Sequence, residues 1–219
     1  MKAAAVVLSA AAFAGIVIAQ LLRLSTPVVD LPALVIDRVP VSGVAHPVTA
    51  VLLNFRGYDT LLEIGVLLLA AVIVLAARSD EPARSPAASP SAEPPIQMFA
   101  RAITGPMIVV AVYLLWAGAY QPGGAFQAGA VLAAMAVLLY LAGVTENWAK
   151  PGMALRAGLT GGFLLFLGVA ASLLIRGVLL QYPVQHAGQL ILLIEAGLTL
   201  SLGLILASLF LFLAADPPR

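Results

Sequence analysis

Residues 50–69 read AVLLNFRGYDTLLEIGVLLL, an apolar run with Arg56, Asp59 and Glu63 at its mouth. A helical span needs about 20 predominantly apolar residues, so this stretch marks a membrane protein. A charged side chain near the membrane centre costs roughly 2.5 to 3.5 kcal/mol on insertion scales, so such groups face a partner or a wet cavity. Residues three and four apart share one helix face, so Arg56 can hold Asp59 while Glu63 points inward. Two readings stand: ion handling, or an interfacial salt-bridge cluster that anchors the helix end.

Working outward, apolar runs recur at residues 3–22, 58–77, 102–120, 123–144, 154–178 and 188–213. The expected fold is all-α, a polytopic membrane protein with about six transmembrane helices. Only 10% of the 219 residues are charged and 62% are hydrophobic, with a mean hydropathy of +1.07. A soluble domain carries about 25% charged residues. Six spans leave little chain for a soluble catalytic or nucleotide-binding domain.

Net charge is +1, which supports neither nucleic-acid binding nor a basic membrane-surface patch. With the N-terminus inside, Lys2, Arg78, Arg84, Arg101, Lys150, Arg156 and Arg219 fall on the cytoplasmic side, against Arg23, Arg38 and Arg176 outside. That asymmetry predicts both termini in the cytoplasm. The chain has no cysteine, so it offers no disulfide, thiol nucleophile or thiolate ligand for an iron–sulfur cluster. His46 and His186 stand far apart without a third ligand at metal spacing, which points to helix-end or loop roles. No metal or covalent cofactor site is expected.

The opening MKAAAVVLSAAAFAGIVIAQ resembles a signal peptide, but its apolar run exceeds a typical signal core and is expected to stay as an anchor. Residues 23–45 carry Pro27, Pro32 and Pro40 and read as an external loop with a short helix at most. Residues 46–77 would make a helix about 48 Å long, more than a bilayer needs, so a break near Gly57 is expected. Pro47 then suits the first turn of a short surface helix before the span proper. Residues 78–97, RSDEPARSPAASPSAEPPIQ, have a linker's composition and divide a two-span part (1–77) from a four-span part (98–219).

Residues 120–129, YQPGGAFQAG, join the third and fourth spans with almost no polar loop. Pro122 suits a first helical turn, while Gly123 and Gly124 permit close backbone approach and leave helix N-terminal amides available. Gly124 with Ala128, and Ala125 with Gly129, form small-xxx-small pairs of the kind that pack membrane helices. Gln127 is either a bystander of that packing or an ion-lining amide. Gly158 with Gly162, and Gly197 with Ser201, repeat the packing pattern in the last two spans.

Glu195 lies in QLILLIEAGLTLSLG with no neighbouring charge in sequence and needs a partner. Arg176 enters at comparable depth on the preceding helix and could pair with it. Without that pair, Glu195 becomes a candidate proton carrier. The second, fourth and sixth spans enter from the same side, which brings Glu63, the 122–127 turn and Glu195 to the outer half of the membrane.

These strings carry a resemblance. PVTAVLLNFRGYDTLLEIGVL (47–67) resembles the C-terminal segment of the A subunit of Mrp-type multisubunit sodium/proton antiporters and the E subunit of membrane-bound hydrogenases. PGGAFQAGAVLAA (122–134) and LLIEAGLTLSLG (192–203) are similar to the Mrp B subunit, the MnhB family, and its hydrogenase F-subunit relative. Ala125 and Ala128 replace two glycines of the usual run, and Glu195 stands where aspartate is common. The resemblance implies a transporter subunit rather than an enzyme, in a hetero-oligomeric assembly of antiporter-type subunits in the bacterial cytoplasmic membrane. It implies a role in the translocation of Na+ and H+ for Glu63 alone; the leading reading of the residues adds Glu195 as a second group giving external ions access, with Arg56 and Asp59 tuning Glu63. The same module in a redox-driven complex, and a purely structural scaffold, are the alternatives.

Overall fold

The computed structural model describes residues 2–24, 29–79, 93–145, 152–175 and 177–214, and these carry helices and turns but no strand. The elements are α1 (Lys2–Leu22), α2 (Leu31–Ser42), a wound segment comprising α3 (Pro47–Thr49) and a π-helix (Ala50–Phe55), α4 (Gly57–Ser79), α5 (Pro94–Ala117), α6 (Ala125–Leu141), α7 (Met153–Leu174) and α8 (Ala187–Ala214). The α4, α5, α7 and α8 helices are long and apolar enough to cross a membrane, and apolar stretches of α1 and α6 are shorter. The chain is a multi-pass membrane protein.

Residues 1–34 and 35–219 form two compact units. In the first, α1 is apolar and its described side chains are exposed. In the second, α8 is the central helix and packs against α6, α7 and α4. This grouping puts α4 with the C-terminal helices, whereas the composition of residues 78–97 divides the sequence after residue 77. Residues 80–92 of that linker lie outside the described residues, and its ends are helical as parts of α4 and α5. Within residues 23–45, where a loop with a short helix at most was expected, α2 runs for 12 residues with Pro40 inside. Pro40 sits near the helix end, where Ser42 Oγ donates to Val39 O (2.7 Å) and occupies a late carbonyl.

The break expected near Gly57 is present. Arg56 leaves helical geometry at φ −127°, and its N–H reaches back five residues to Val51 O in a π turn. Such a turn disturbs the regular carbonyl ladder, and Thr60 Oγ1 occupies Leu52 O at 2.6 Å. Thr49 Oγ1 donates to Gly118 O at 2.6 Å and ties the wound segment to the end of α5. Gly57 in turn faces Leu180 of the loop between α7 and α8. One end of the unit thus gathers the start of α4, the α5–α6 turn and the α7–α8 loop.

Lipid is as apolar as leucine, so membrane helices associate through close packing and interhelical hydrogen bonds. The small residues provide both. A Cβ on Gly162 would stand 2.7 Å from Gly197 O and 2.8 Å from Ser201 Oγ, so α7 and α8 meet backbone to backbone. Gly158 faces Leu204 of α8 at equally close range. Ser201 Oγ donates to Gly158 O (2.7 Å) and accepts from Gly162 N–H (2.8 Å), which places a hydroxyl in the backbone ladder of α7. On the other flank, Gly129 of α6 admits Leu202 and Thr199 O of α8, with Ala128 fully buried beside it. The expected glycine contacts therefore form within this chain.

Ser201→Ala should cost about 1 kcal/mol, the net value of the hydrogen bonds it removes, and Gly162→Leu should abolish the α7–α8 contact. Reversible unfolding of the purified chain in mixed micelles checks both; an unchanged Gly162→Leu midpoint would contradict the packing.

A buried acid at the start of α6

The turn from Gly118 to Gly124 folds back on α5, with Gly124 N–H donating to Leu114 O at 2.8 Å. Gly124 takes φ +106°, the region in which a Cβ is strained, and α6 starts at the next residue. Pro122, expected in the first helical turn, precedes the helix because the chain reverses through residues 118–124 first. The N-cap Gly124 has no side chain, so α6 begins with amides its own cap cannot satisfy.

Glu195 of α8 fills that position. It is 6% exposed, and buried Ile191, Ile194 and Leu198 flank it on the same helix. Its carboxylate lies within hydrogen-bonding reach of the Ala125 backbone N–H. Oε1 is 2.6 Å from where a Gly124 Cβ would stand, and Gln127 Oε1 is 3.9 Å from the same point. Glycine at 124 makes room for the acid, and a negative group at a helix N-terminus meets the positive end of the dipole. Thr199 Oγ1 donates to the Glu195 carbonyl at 2.8 Å. Eight residues into α8, Glu195 sits about 12 Å along the axis from the helix start.

Arg176, the partner of Glu195 in one of the two readings left open by the sequence, lies outside the described residues. Among the described residues Glu195 has no ion pair. Gln127 is exposed at the edge of the site. Gly123 packs against Leu114 O and so shapes the turn rather than the acid's surroundings.

The α4 acids form a separate group. Arg56 Nη2 pairs with Asp59 Oδ2 as the spacing requires, and Asp59 stands in the first turn of α4. Their side chains are 70% and 55% exposed, so the pair contributes about 0 to 1 kcal/mol. Glu63 does not turn inward as expected. Buried Gly57, Thr60 and Ile64, with Ala71 further on, set the inner stripe of α4, and Glu63 lies off that stripe on the exposed surface. Its side chain makes no hydrogen bond or ion pair with a described residue. His46 stands at the N-cap position of α3 without a capping hydrogen bond from its side chain, and exposed His186 precedes α8, both at helix ends as expected. Among the described residues no group of three His, Cys, Asp or Glu could hold a metal ion.

Sequence reasoning passed over Tyr182, which is 5% exposed with its Oη unpartnered among the described residues. Burial pushes the phenol pKa well up, so the group remains an uncharged hydroxyl. A recess of about 240 Å³ beside it is lined by Val178, Gln181, Pro183 and Val184 and holds none of the acids. Nothing in the Gln-Tyr-Pro string distinguishes it from an ordinary loop.

Residues 95–215, more than half of the chain, match the model of domains related to the MnhB subunit of Na+/H+ antiporters. The chain belongs to this family. The MnhB-related region contains the whole Glu195 site, from the α5–α6 turn to α8. All of the chain aligns with 27% of a chain in the Mrp complex from Dietzia sp. DQ12-45-1b, with a TM-score of 0.75 and 22% identity. With the same TM-score and 20% identity, 95% of it aligns with 98% of a chain in the membrane-bound sulfane sulfur reductase, an archaeal respiratory membrane complex. These likenesses are of fold, and this chain spans about a quarter of the Mrp chain's length. No curated protein matches it.

Glu195→Gln should fold almost as well as the parent, because its amide oxygen still accepts from Ala125. Glu195→Leu should lose about 1 to 3 kcal/mol by leaving that N–H unsatisfied, and unfolding midpoints in mixed micelles distinguish the two. Equal midpoints would show that the acid does not cap α6.

Proposed function

We propose that this chain is an accessory, ion-path-forming subunit of an Mrp-type multisubunit Na+/H+ antiporter in the bacterial cytoplasmic membrane. One observation carries the reading: within the MnhB-related region, a buried carboxylate without an ion pair among the described residues meets the start of a neighbouring helix. Intramembrane acids in such settings mark ion and proton pathways. Oxygen ligands near a broken backbone suit Na+ or H+, and Glu195 and Gln127 supply two such oxygens. A third belongs to a neighbouring subunit or to water.

In this reading α1, α4, α5, α6, α7 and α8 are the six spans, and both termini are cytoplasmic. The site then opens to the outside. Residues 1–77 and 98–219 correspond to an A-like and a B-like module joined by the linker. Glu63, exposed on α4, faces another subunit of the assembly, and the Arg56–Asp59 pair beside it adjusts the local field. Transport rather than catalysis is the activity. Partner subunits carry the main channels, since the only lysine in these six helices is Lys2, at the very start of α1.

A redox-driven ion pump is the second reading, favoured by the nearly full-length match to a chain of the sulfane sulfur reductase complex. This chain has no cysteine with which to ligate a cluster, so another subunit would carry the redox centres there too.

Antiport in membrane vesicles decides between transport and scaffolding. Glu195→Gln and Glu63→Gln should each assemble normally yet lower Na+/H+ exchange about tenfold, the effect of about 1.4 kcal/mol on a barrier. Unchanged exchange with intact assembly would reduce the chain to a scaffold.

A further inference from the structure

Tyr113, Trp116 and Tyr120 form a continuous strip along the end of α5. The Tyr113 and Trp116 rings lie 6.3 Å apart at 43°, and Trp116 and Tyr120 lie 5.6 Å apart at 52°. The three residues are 52%, 56% and 64% exposed, so the strip faces outward. Toward the middle of α5 the exposed side chains are purely apolar, with Val109 at 69%. Past the strip the chain becomes polar at Gln121, whose Nε2 donates to Tyr113 Oη at 2.9 Å. Along one face the chemistry therefore changes from aliphatic to amphipathic ring to amide.

That gradient fits one environment. Tyr and Trp gather where hydrocarbon meets headgroups because an apolar ring and a polar tip are both satisfied there. A protein partner would require no such ordering. The strip ends at the turn that carries Gly118 and Gly124, to which Thr49 also binds. Whatever fixes the level of the strip also fixes the level of the Glu195 site.

We propose that Tyr113, Trp116 and Tyr120 are a phospholipid-facing interfacial anchor that holds the 118–124 turn at the membrane–water boundary. Glu195, bound beneath that turn, then lies close to the external solution rather than at the bilayer midplane, and an ion needs to cross only the turn to reach it. The anchor does not depend on whether the assembly is an antiporter or a redox pump.

The natural absence of cysteine makes the test clean. Trp116→Cys and Tyr120→Cys chains, assembled in native membranes, are labelled with benzophenone maleimide and irradiated. The chain is then isolated through an affinity tag, and its adducts are identified by mass spectrometry. Phospholipid adducts are expected from both positions; adducts chiefly to another subunit or to a second copy, from either, would overturn the proposal. In parallel, a membrane-impermeant maleimide presented to each face of the membrane in turn should label Gln121→Cys from one face, the outer one in the topology proposed above, and lose all labelling at Val109→Cys from both. Equal labelling would show that the boundary does not run through the strip.

Discussion

In hydrocarbon there is no water to complete a helix end, and a carboxylate has no solvent to share its charge. The Glu195 site answers both constraints at once. The first amide of α6 has no capping side chain of its own, and the acid of α8 has no ion pair among the described residues, so each completes the other across the helix interface. The exchange depends on residue 124. Its φ of +106° turns the chain into α6, and its missing Cβ leaves the space occupied by Oε1. On the function proposed above, stabilisation and ion handling share one carboxylate, and a conservative amide should preserve the first while removing the second.

Around this point the helices are held by small residues and hydroxyls. Gly129 and Gly162 bring α6 and α7 against opposite flanks of α8, which fixes the height at which Glu195 meets the turn. Ser201 reinforces one flank from within the backbone of α7. The threonines at 49 and 60 serve the same end on the α4 side, by satisfying carbonyls that the π turn and the α5 terminus leave open. These side chains make the irregular backbone of a membrane protein tolerable.

Much of this arrangement could be read from the sequence where a strong local rule applied. Apolar length located the helices, the glycine spacings located the contacts of α8, and the excess length of residues 46–77 located the break before Gly57. The acid in QLILLIEAGLTLSLG was conspicuous for its isolation. Its partner was not: the Pro-Gly-Gly turn announced available amides at the start of α6, but nothing in the sequence sets α8 beside them, and Arg176 on the preceding helix offered a charge. Glu63 was misread for a related reason. Spacing correctly joined Arg56 to Asp59, but only packing reveals that Thr60 turns to Leu52 O and Ile64 joins the core with α7 and α8, leaving Glu63 outside. A short helix in residues 23–45 was allowed for, but the three prolines gave no way to fix its bounds at 31–42.

An acid buried within the chain and another exposed on its surface suit a protein that contributes part of a pathway and leaves the remainder to its neighbours. Isolation of the chain from its native membrane in mild detergent, with mass spectrometry of every co-purifying protein, tests that dependence directly. Large antiporter-type subunits should accompany it in fixed proportion. A chain that migrates alone, fully folded and without partners, would contradict its role as a subunit.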